Sequence, residues 1–238
     1  MSGTLYLIPT PLGETAIAEE FSGAFLKQVH ALDYFIVENA KTARAFLKRV
    51  AMPRAIAELQ IETIAGDGNA ASLHDLLEPL LRGRDAGLMS EAGAPAVADP
   101  GARLVALAHQ QNIRVLPLVG PSAILLALMA SGLNGQAFAF HGYLPVDEAS
   151  LQKTLLSLEA ESRRNKQTQI FIETPYRNDR LLRVIAQSCS PEALLCIATQ
   201  LTQPDETVLT KRIADWKSAM PLIGKRPTVF LLQASSGD

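Results

Sequence analysis

The chain has 238 residues, enough for one large domain or for two of roughly 110–120 residues, each with a core of its own. Hydrophobic residues make up 48% and charged residues 19%, a balance that excludes a disordered chain. Lys and Arg number 22 against 24 Asp and Glu, a net charge of −2, so no overall basic excess advertises a nucleic-acid partner, although a local patch stays open.

Short strand-like runs alternate with amphipathic helical runs along the chain. Leu5–Ile8 is predicted as the first strand, closed by Pro9 and Pro11, which cannot continue a sheet ladder. A helix over Thr15–Val29 follows from Phe21, Phe25 and Val29 at four-residue steps. Strand Tyr34–Val37, helix Thr42–Val50, a polar turn at 66–71 and helix Ser72–Leu81 come next. Strand Ala86–Met89 runs into "SEAGAPAVADPG", where Asp99 is placed to cap the helix Ala102–Gln111 and Pro100 to start it. Strand Ile113–Leu118 ends the first half, predicted as an α/β domain over residues 1–118, with a second over 119–238. The second half reads as helix Ser122–Ser131, strand Ala137–Phe140, helix Glu148–Arg163, strand Gln169–Ile172, helix Arg177–Ser188 and strands Leu194–Ala198 and Thr228–Leu232. The fold class is therefore α/β, with mainly parallel sheets or a mixed second one, and two such domains predict a ligand cleft between them.

Three small-residue loops follow strands: Pro9–Gly13, the segment 90–101, and Gly120-Pro121-Ser122-Ala123. Ligands of open α/β sheets bind beyond the carboxyl ends of strands, where such loops let the backbone come close. Taken singly, each also reads as a mere tight turn. No G-x-G-x-x-G follows a strand, no G-x-x-x-x-G-K-[ST] occurs, and no G-x-S-x-G elbow is present. His30, His74, His109 and His141 are scattered without metal spacing, so no metal site is expected; His141 lies nearest the predicted cleft. Cys189 and Cys196 have neither metal nor redox spacing and read as reduced core thiols. The longest apolar tract, 123–130, is too short to span a bilayer, and residues 1–11 show no signal-peptide pattern. A soluble cytoplasmic protein with no membrane partner is the expectation.

Five segments, "LYLIPTPLG", "SEAGAPAVADPG", "VGPSAILLALMASGL", "FAFHGYLP" and "IFIETPYRNDRLL", occur in that order across residues 5–182. Their order and wording resemble the tetrapyrrole methylase superfamily of S-adenosyl-L-methionine-dependent methyltransferases. Within it the chain is most similar to the ribosomal RNA small subunit methyltransferase I family, which methylates a cytidine ribose 2′-hydroxyl. The resemblance implies two α/β domains with the methyl donor in the cleft between them, a homodimer, and ribosomal RNA or the small ribosomal subunit as partner. It carries donor contacts over to Leu12, to Ala94 and Val97, and to Ser122 and Ala123. The closing "RPTVFLL" implies Pro227 and Thr228 near the adenine, and Gln200 is a looser assignment.

The acceptor side departs from the family wording. Glu38-Asn39-Ala40-Lys41 stands for Glu-Asp-Thr-Arg, with Arg44 further on; Glu91 and Ala94 replace Asp and Thr; Glu14 replaces Asn; and Pro175-Tyr176-Arg177 replaces Pro-His-Arg. The chain also stops without the small C-terminal extension many members carry. A divergent paralogue fits these changes.

A ribose hydroxyl is a poor nucleophile, so a base or an alkoxide-stabilising cation assists its attack. Glu38, Lys41, Arg44 and Glu173, all just beyond strand ends, are the catalytic candidates, with Arg177 beside them. For each, the plain alternative is a surface charge or an ion pair such as Glu173 with Arg177. The run Arg163-Arg164-Asn165-Lys166 reads as a solvated turn that would also suit RNA phosphates. Three function classes stand open: RNA ribose methylation, methylation of a small molecule or tetrapyrrole, and a degenerate paralogue that only binds.

Overall fold

The computed structural model describes residues 2–64 and 70–235. The chain divides into two compact units, Met1–Ser122 and Ala123–Asp238.

In the first unit, five strands form one sheet: β1 (Thr4–Ile8), β2 (Tyr34–Val37), β3 (Gln60–Thr63), β4 (Ala86–Met89) and β5 (Arg114–Pro117). Their order is β3-β2-β4-β1-β5, and every pair is parallel. The central strands β2 (YFIV) and β4 (AGLM) are buried at every residue, as unbroken apolar runs in a parallel sheet covered on both faces must be.

The crossovers settle which helix lies on which face. From β1 through β2 to β3 the chain moves one way along the sheet, and from β3 through β4 to β5 it moves back. With right-handed crossovers, the first set of helices falls on one face and the second on the other. Strand alternation shows the same division. Phe35 and Val37 pack with α2 (Gly23–His30) and α3 (Ala40–Arg49) through Phe25, Val29, Phe46 and Leu47. Tyr34 and Ile36 pack with α4 (Ala70–Leu81) and α5 (Gly101–Gln110) through Leu73, Leu77, Leu80 and Leu104. The reversal lies between the neighbours β1 and β4, whose outgoing connections leave toward opposite edges.

Some boundaries differ from the sequence reading. The helix expected over 15–29 is two pieces, α1 (Ile17–Glu20) and α2, because Ser22 starts a new helix by accepting the Phe25 amide (3.2 Å). Phe21 still stacks on Phe25, with ring centroids 4.3 Å apart, so the four-residue apolar step survives the break. Strand β3 went unpredicted because QIET holds one apolar residue on a largely exposed edge. The expected turn at 66–71 lies outside the described residues as far as 69, and α4 already begins at Ala70.

The second unit holds α6 (Ala123–Ser131), β6 (Phe138–Tyr143), α7 (Glu148–Asn165), β7 (Thr168–Ile172), α8 (Asn178–Ser188), β8 (Leu194–Thr199), β9 (Thr207–Arg212), α9 (Ile213–Ser218) and β10 (Thr228–Gln233). Its sheet order is β6-β7-β10-β8-β9, with β6 and β7 parallel and the other pairs antiparallel, so the second sheet is mixed. Phe171, Leu195, Ile197, Phe230 and Leu232 face α7 and α8, and α6 lies along β10, β8 and β9. Neither β9 nor α9 was anticipated: TVLTKR is an exposed edge, and α9 is a short helix held by Trp216, whose indole donates to the Leu195 carbonyl (2.8 Å). Cys189 and Cys196 are buried free thiols, and burial pushes Cys189 up to about 12. Among the described residues no helix is long and apolar enough to cross a membrane.

Candidate functional site

At the carboxyl ends of β1 and β4 the outgoing loops are stitched together. Thr10 and Gly93 form an antiparallel bridge, each amide donating to the other's carbonyl at 3.0 Å. Buried Thr10 also donates through Oγ1 to the Ser90 carbonyl (3.4 Å), and the Ser90 hydroxyl reaches the Gly93 carbonyl (3.3 Å). Gly93 has φ +75°, which favours glycine, and a Cβ there would lie 3.2 Å from Leu12 and 3.8 Å from the Pro121 carbonyl oxygen. A Cβ on Gly120 would lie 2.5 Å from Pro9 Cβ. The loops after β1, β4 and β5 therefore meet, and the small residues that mark them are what allows the approach.

The segment after Gly93 is held by the Asp99 side chain. Asp99 accepts the Ala96 amide on Oδ2 (2.9 Å) and the Gly101 amide on Oδ1 (2.7 Å). It thus serves the start of α5, with Pro100 rather than Asp99 at the cap position. Ala96 (φ 66°) and Ala98 (φ 63°) both sit in the left-handed region, costly for residues with a Cβ, and the Asp99 bonds close the turn around them. Val97, between them, is 47% exposed, and Ala94 is half-buried.

Glu38 follows β2 and reaches across to the same loop. Its Oε2 accepts the Glu91 amide (3.1 Å), while its own amide donates to the Met89 carbonyl (3.1 Å). Burial raises the Glu38 carboxyl above its ordinary range, and nearby Asp99 and Glu91 add to the shift against the lowering effect of the Glu91 amide. Burial raises Asp99 likewise. Asn39 caps α3, accepting the Lys41 amide (2.9 Å) and the Thr42 amide (3.5 Å). Lys41 and Arg44 are exposed, three residues apart on the first turns of α3. The structure thus brings Leu12, Ala94 and Val97 into the stitched loops and sets Glu38 against them.

In the second unit, Ser122 having closed the first, Ala123 opens α6; both residues are half-buried. Strands β7 and β8 end where antiparallel β10 begins: Ile172 faces Val229, and Thr199 faces Thr228. The Gln200 amide donates to the Pro227 carbonyl (3.0 Å), so Gln200, Pro227 and Thr228 lie together at this sheet end. Glu173, buried, is bound by Arg177 Nη2 (2.7 Å), so the pairing weighed as the plain alternative is present. His141 bonds through Nε2 to Gln169 (2.6 Å) in the neighbouring strand.

One residue here went unnoticed in the sequence. Asn178, fully buried, donates through Nδ2 to the carbonyls of Gly224 (3.1 Å) and Arg226 (2.8 Å) and to Thr228 Oγ1 (3.3 Å). It ties the start of α8 to the approach of β10, with Asp179 accepting the Ile223 amide (2.7 Å) beside it. Nothing in the polar string Tyr-Arg-Asn-Asp marks its second residue from the end as the buried one. Among the described residues no cluster of His, Cys, Asp and Glu could hold a metal ion.

No family model matches the chain. Among curated proteins it is 35% identical over 206 residues to the ribosomal RNA small subunit methyltransferase I of Mesorhizobium japonicum, covering 87% of this chain and 66% of that one. It is 30% identical to the proteins of that name from Vibrio cholerae (89% and 69% covered) and Escherichia coli O157:H7 (87% and 68%). The chain thus spans about two thirds of the length of these relatives. Among solved structures, the methyltransferase CobJ superposes with a TM-score of 0.65 at 18% identity over 99% of this chain and 95% of that one. Uroporphyrin-III-C-methyltransferase from Thermus thermophilus gives 0.55 at 16%, over 98% and 93%. Those two carry the two-domain α/β fold, and the sequence identities, which span nearly nine tenths of the chain, go further: it belongs to the ribosomal RNA small subunit methyltransferase I family.

Proposed function

We propose that the chain is a methyltransferase that takes S-adenosyl-L-methionine as donor and RNA of the small ribosomal subunit as acceptor, at a cytidine ribose 2′-hydroxyl. The observation that carries the reading is the Thr10–Gly93 bridge, which closes two small-residue loops at the point where the first sheet reverses its connections. The residues present fit such a donor. The loops offer backbone and small side chains, and the carboxylates of Glu38 and Asp99 near them complement a positive sulfonium. When bound, the donor supplies a methyl group already activated on sulfur.

The remaining work falls to this chain's side chains. In this reading Leu12, Ala94 and Val97 bind the donor from the stitched loops of the first unit, and the family resemblance also assigns donor contacts to Ser122, Ala123, Gln200, Pro227 and Thr228. Glu38 receives the hydroxyl proton: burial raises its proton affinity, and the Glu91 amide holds Oε2 in place. Lys41 and Arg44 supply positive charge for an alkoxide or an adjacent phosphate. Glu173 acts through Arg177, which it fixes by the 2.7 Å contact. Cytoplasmic residence and a homodimer belong to the same reading.

Titration calorimetry with S-adenosyl-L-methionine, followed by mass spectrometry of RNA from small subunits of a strain lacking this protein, tests it. The expected result is donor binding and, in that strain, one methyl group missing from a small-subunit cytidine, restored when its subunits are incubated with this protein and the donor. A folded protein that binds no donor overturns the reading.

A second acceptor class is favoured by one observation. Glu38, Glu91 and Asp99 gather at the loops of the first unit, and a cluster of acids repels a polyanion. Donor binding with RNA left unmethylated, and methyl transfer to an uncharged or cationic small molecule instead, would select it; donor binding with no transfer to either marks a binding-only paralogue.

A further inference from the structure

At the end of β7 the second unit holds an exposed aromatic ring on an immobilised cation. The chain leaves Ile172 through Glu173 and Thr174 into a single 3-10 turn, Pro175–Arg177. Glu173 Oε1 accepts from the Thr174 amide (2.6 Å), from Thr174 Oγ1 (3.2 Å) and from Arg177 Nη2 (2.7 Å). Arg177 Nε donates in addition to Thr174 Oγ1 (2.8 Å). The side chains of Glu173 and Arg177 are only 4% and 20% exposed. The guanidinium is thereby fixed from two sides, and its carbon lies 5.8 Å from the centroid of the Tyr176 ring, within cation–π range. Tyr176 itself is 72% exposed. A buried carboxylate, a hydroxyl and an arginine together orient a ring that the core does not use.

The position of the ring narrows what it meets. Ile172 faces Val229 across the sheet, so the turn stands at the sheet end that carries Pro227 and Thr228. Two residues beyond Tyr176, Asn178 bonds to Thr228, coupling the turn to that end. Along α8, Arg180 and Arg183 follow Arg177 at three-residue steps. Arg180 is paired with Glu148 at 3.5 Å, and Arg183 is exposed. An aromatic face followed by cations along a helix is the chemistry that takes an unpaired nucleobase and its phosphates.

We propose that Tyr176 is a stacking platform for an unpaired base of the RNA acceptor, held in orientation by Arg177 and Glu173. The proposal rests on the RNA reading given above. The base lies on the ring face away from the guanidinium, and Arg180 and Arg183 meet the backbone phosphates. Glu173 and Arg177 are positioning residues here and touch no base.

The test uses the full chain and a dye-labelled single-stranded oligoribonucleotide of mixed sequence, read by fluorescence anisotropy, with the abasic ribose-phosphate oligomer as control. Tyr176→Ala weakens oligonucleotide binding about tenfold, equivalent to ~1.4 kcal/mol, and Tyr176→Phe, which keeps the ring, binds within about twofold of the parent. The abasic oligomer binds parent and variant alike, and donor affinity by calorimetry is the same in both. In turnover with small subunits, Tyr176→Ala raises KM and leaves kcat nearly unchanged. Equal oligonucleotide binding by parent and Tyr176→Ala overturns the platform, as does a Phe variant as weak as the Ala variant. Failure of the parent to methylate small subunits, with the Tyr176 effect on oligonucleotides intact, overturns the RNA methyltransferase reading and leaves the platform standing.

Discussion

Replacing Asp99 by Ala removes the side chain that closes the turn from Ala96 to Gly101 in the loop after β4. Its carboxylate accepts two backbone amides, from Ala96 at 2.9 Å and from Gly101 at 2.7 Å. Hydrogen bonds to a charged group contribute about 1.5–3 kcal/mol each, so the two together amount to roughly 3–6 kcal/mol. Burial of the carboxyl, which raises its pKa, offsets part of this. A net loss of about 2–3 kcal/mol remains, borne locally because the Ala96 amide loses its partner and the turn through the positive-φ residues Ala96 and Ala98 is no longer closed. Amide hydrogen exchange resolves this directly. Protection of the Ala96 and Gly101 amides should fall by roughly 30- to 150-fold, while the β1 and β4 amides keep theirs. Donor affinity falls by up to the same factor, since binding must then order the loop. Asp99→Asn gives an intermediate result, because its amide oxygen serves one N–H while its NH2 faces the other. Unchanged exchange at Ala96 and Gly101 in Asp99→Ala would show that the loop is held by something other than this carboxylate.

The other predictions concern packing and titration. Gly120→Ala places a methyl group 2.5 Å from Pro9 Cβ, a ring that cannot swing away, and should cost about 1–3 kcal/mol in urea unfolding. Burial raises the native pKa of Glu38, so its contribution to stability is full below the unfolded-state pKa and is lost as pH rises through the native one. Glu38→Gln should therefore flatten the dependence of Tm on pH across the mildly acidic range; an unaltered slope would refute the assignment. With its thiol pushed up to about 12 by burial, Cys189 should resist iodoacetamide in the native protein at neutral pH and react once urea unfolds it, as peptide mass spectrometry would show.

The parallel core of the first unit was legible because its code is local. YFIV and AGLM are apolar at every position, and only a strand covered on both faces asks for that. The edges carried no such signal: QIET and TVLTKR are half-exposed strands whose pairing, β3 to β2 and β9 to β8, follows from the neighbour and not from their own pattern. The same contrast separates site residues. Small-residue loops after strands announce themselves, since glycine and proline punctuate the chain. Asn178 does not, because its burial depends on the Gly224–Thr228 segment nearly fifty residues on. The capping rule predicts the Asp99 bond to the Gly101 amide; its second bond, to Ala96, lies backward along the chain, where a capping rule does not look.

In the proposed reaction the donor and acceptor sides tolerate sequence change differently, for a physical reason. The loops proposed to hold the donor are joined by main-chain bonds between Thr10 and Gly93, which side-chain changes elsewhere in these loops leave in place. A change of side chain at Glu91 leaves its contact with Glu38 in place, because the amide, not the carboxylate, is what Glu38 holds. Acceptor selection has no such insulation. Asn39 spends its side-chain oxygen on the Lys41 and Thr42 amides, and the exposed Lys41 and Arg44 follow it on the first turns of α3. Substitution of either therefore alters acceptor affinity and salt dependence with donor affinity constant. Moving the bridge at Gly93 alters donor affinity first, because a Cβ there meets Leu12 at 3.2 Å.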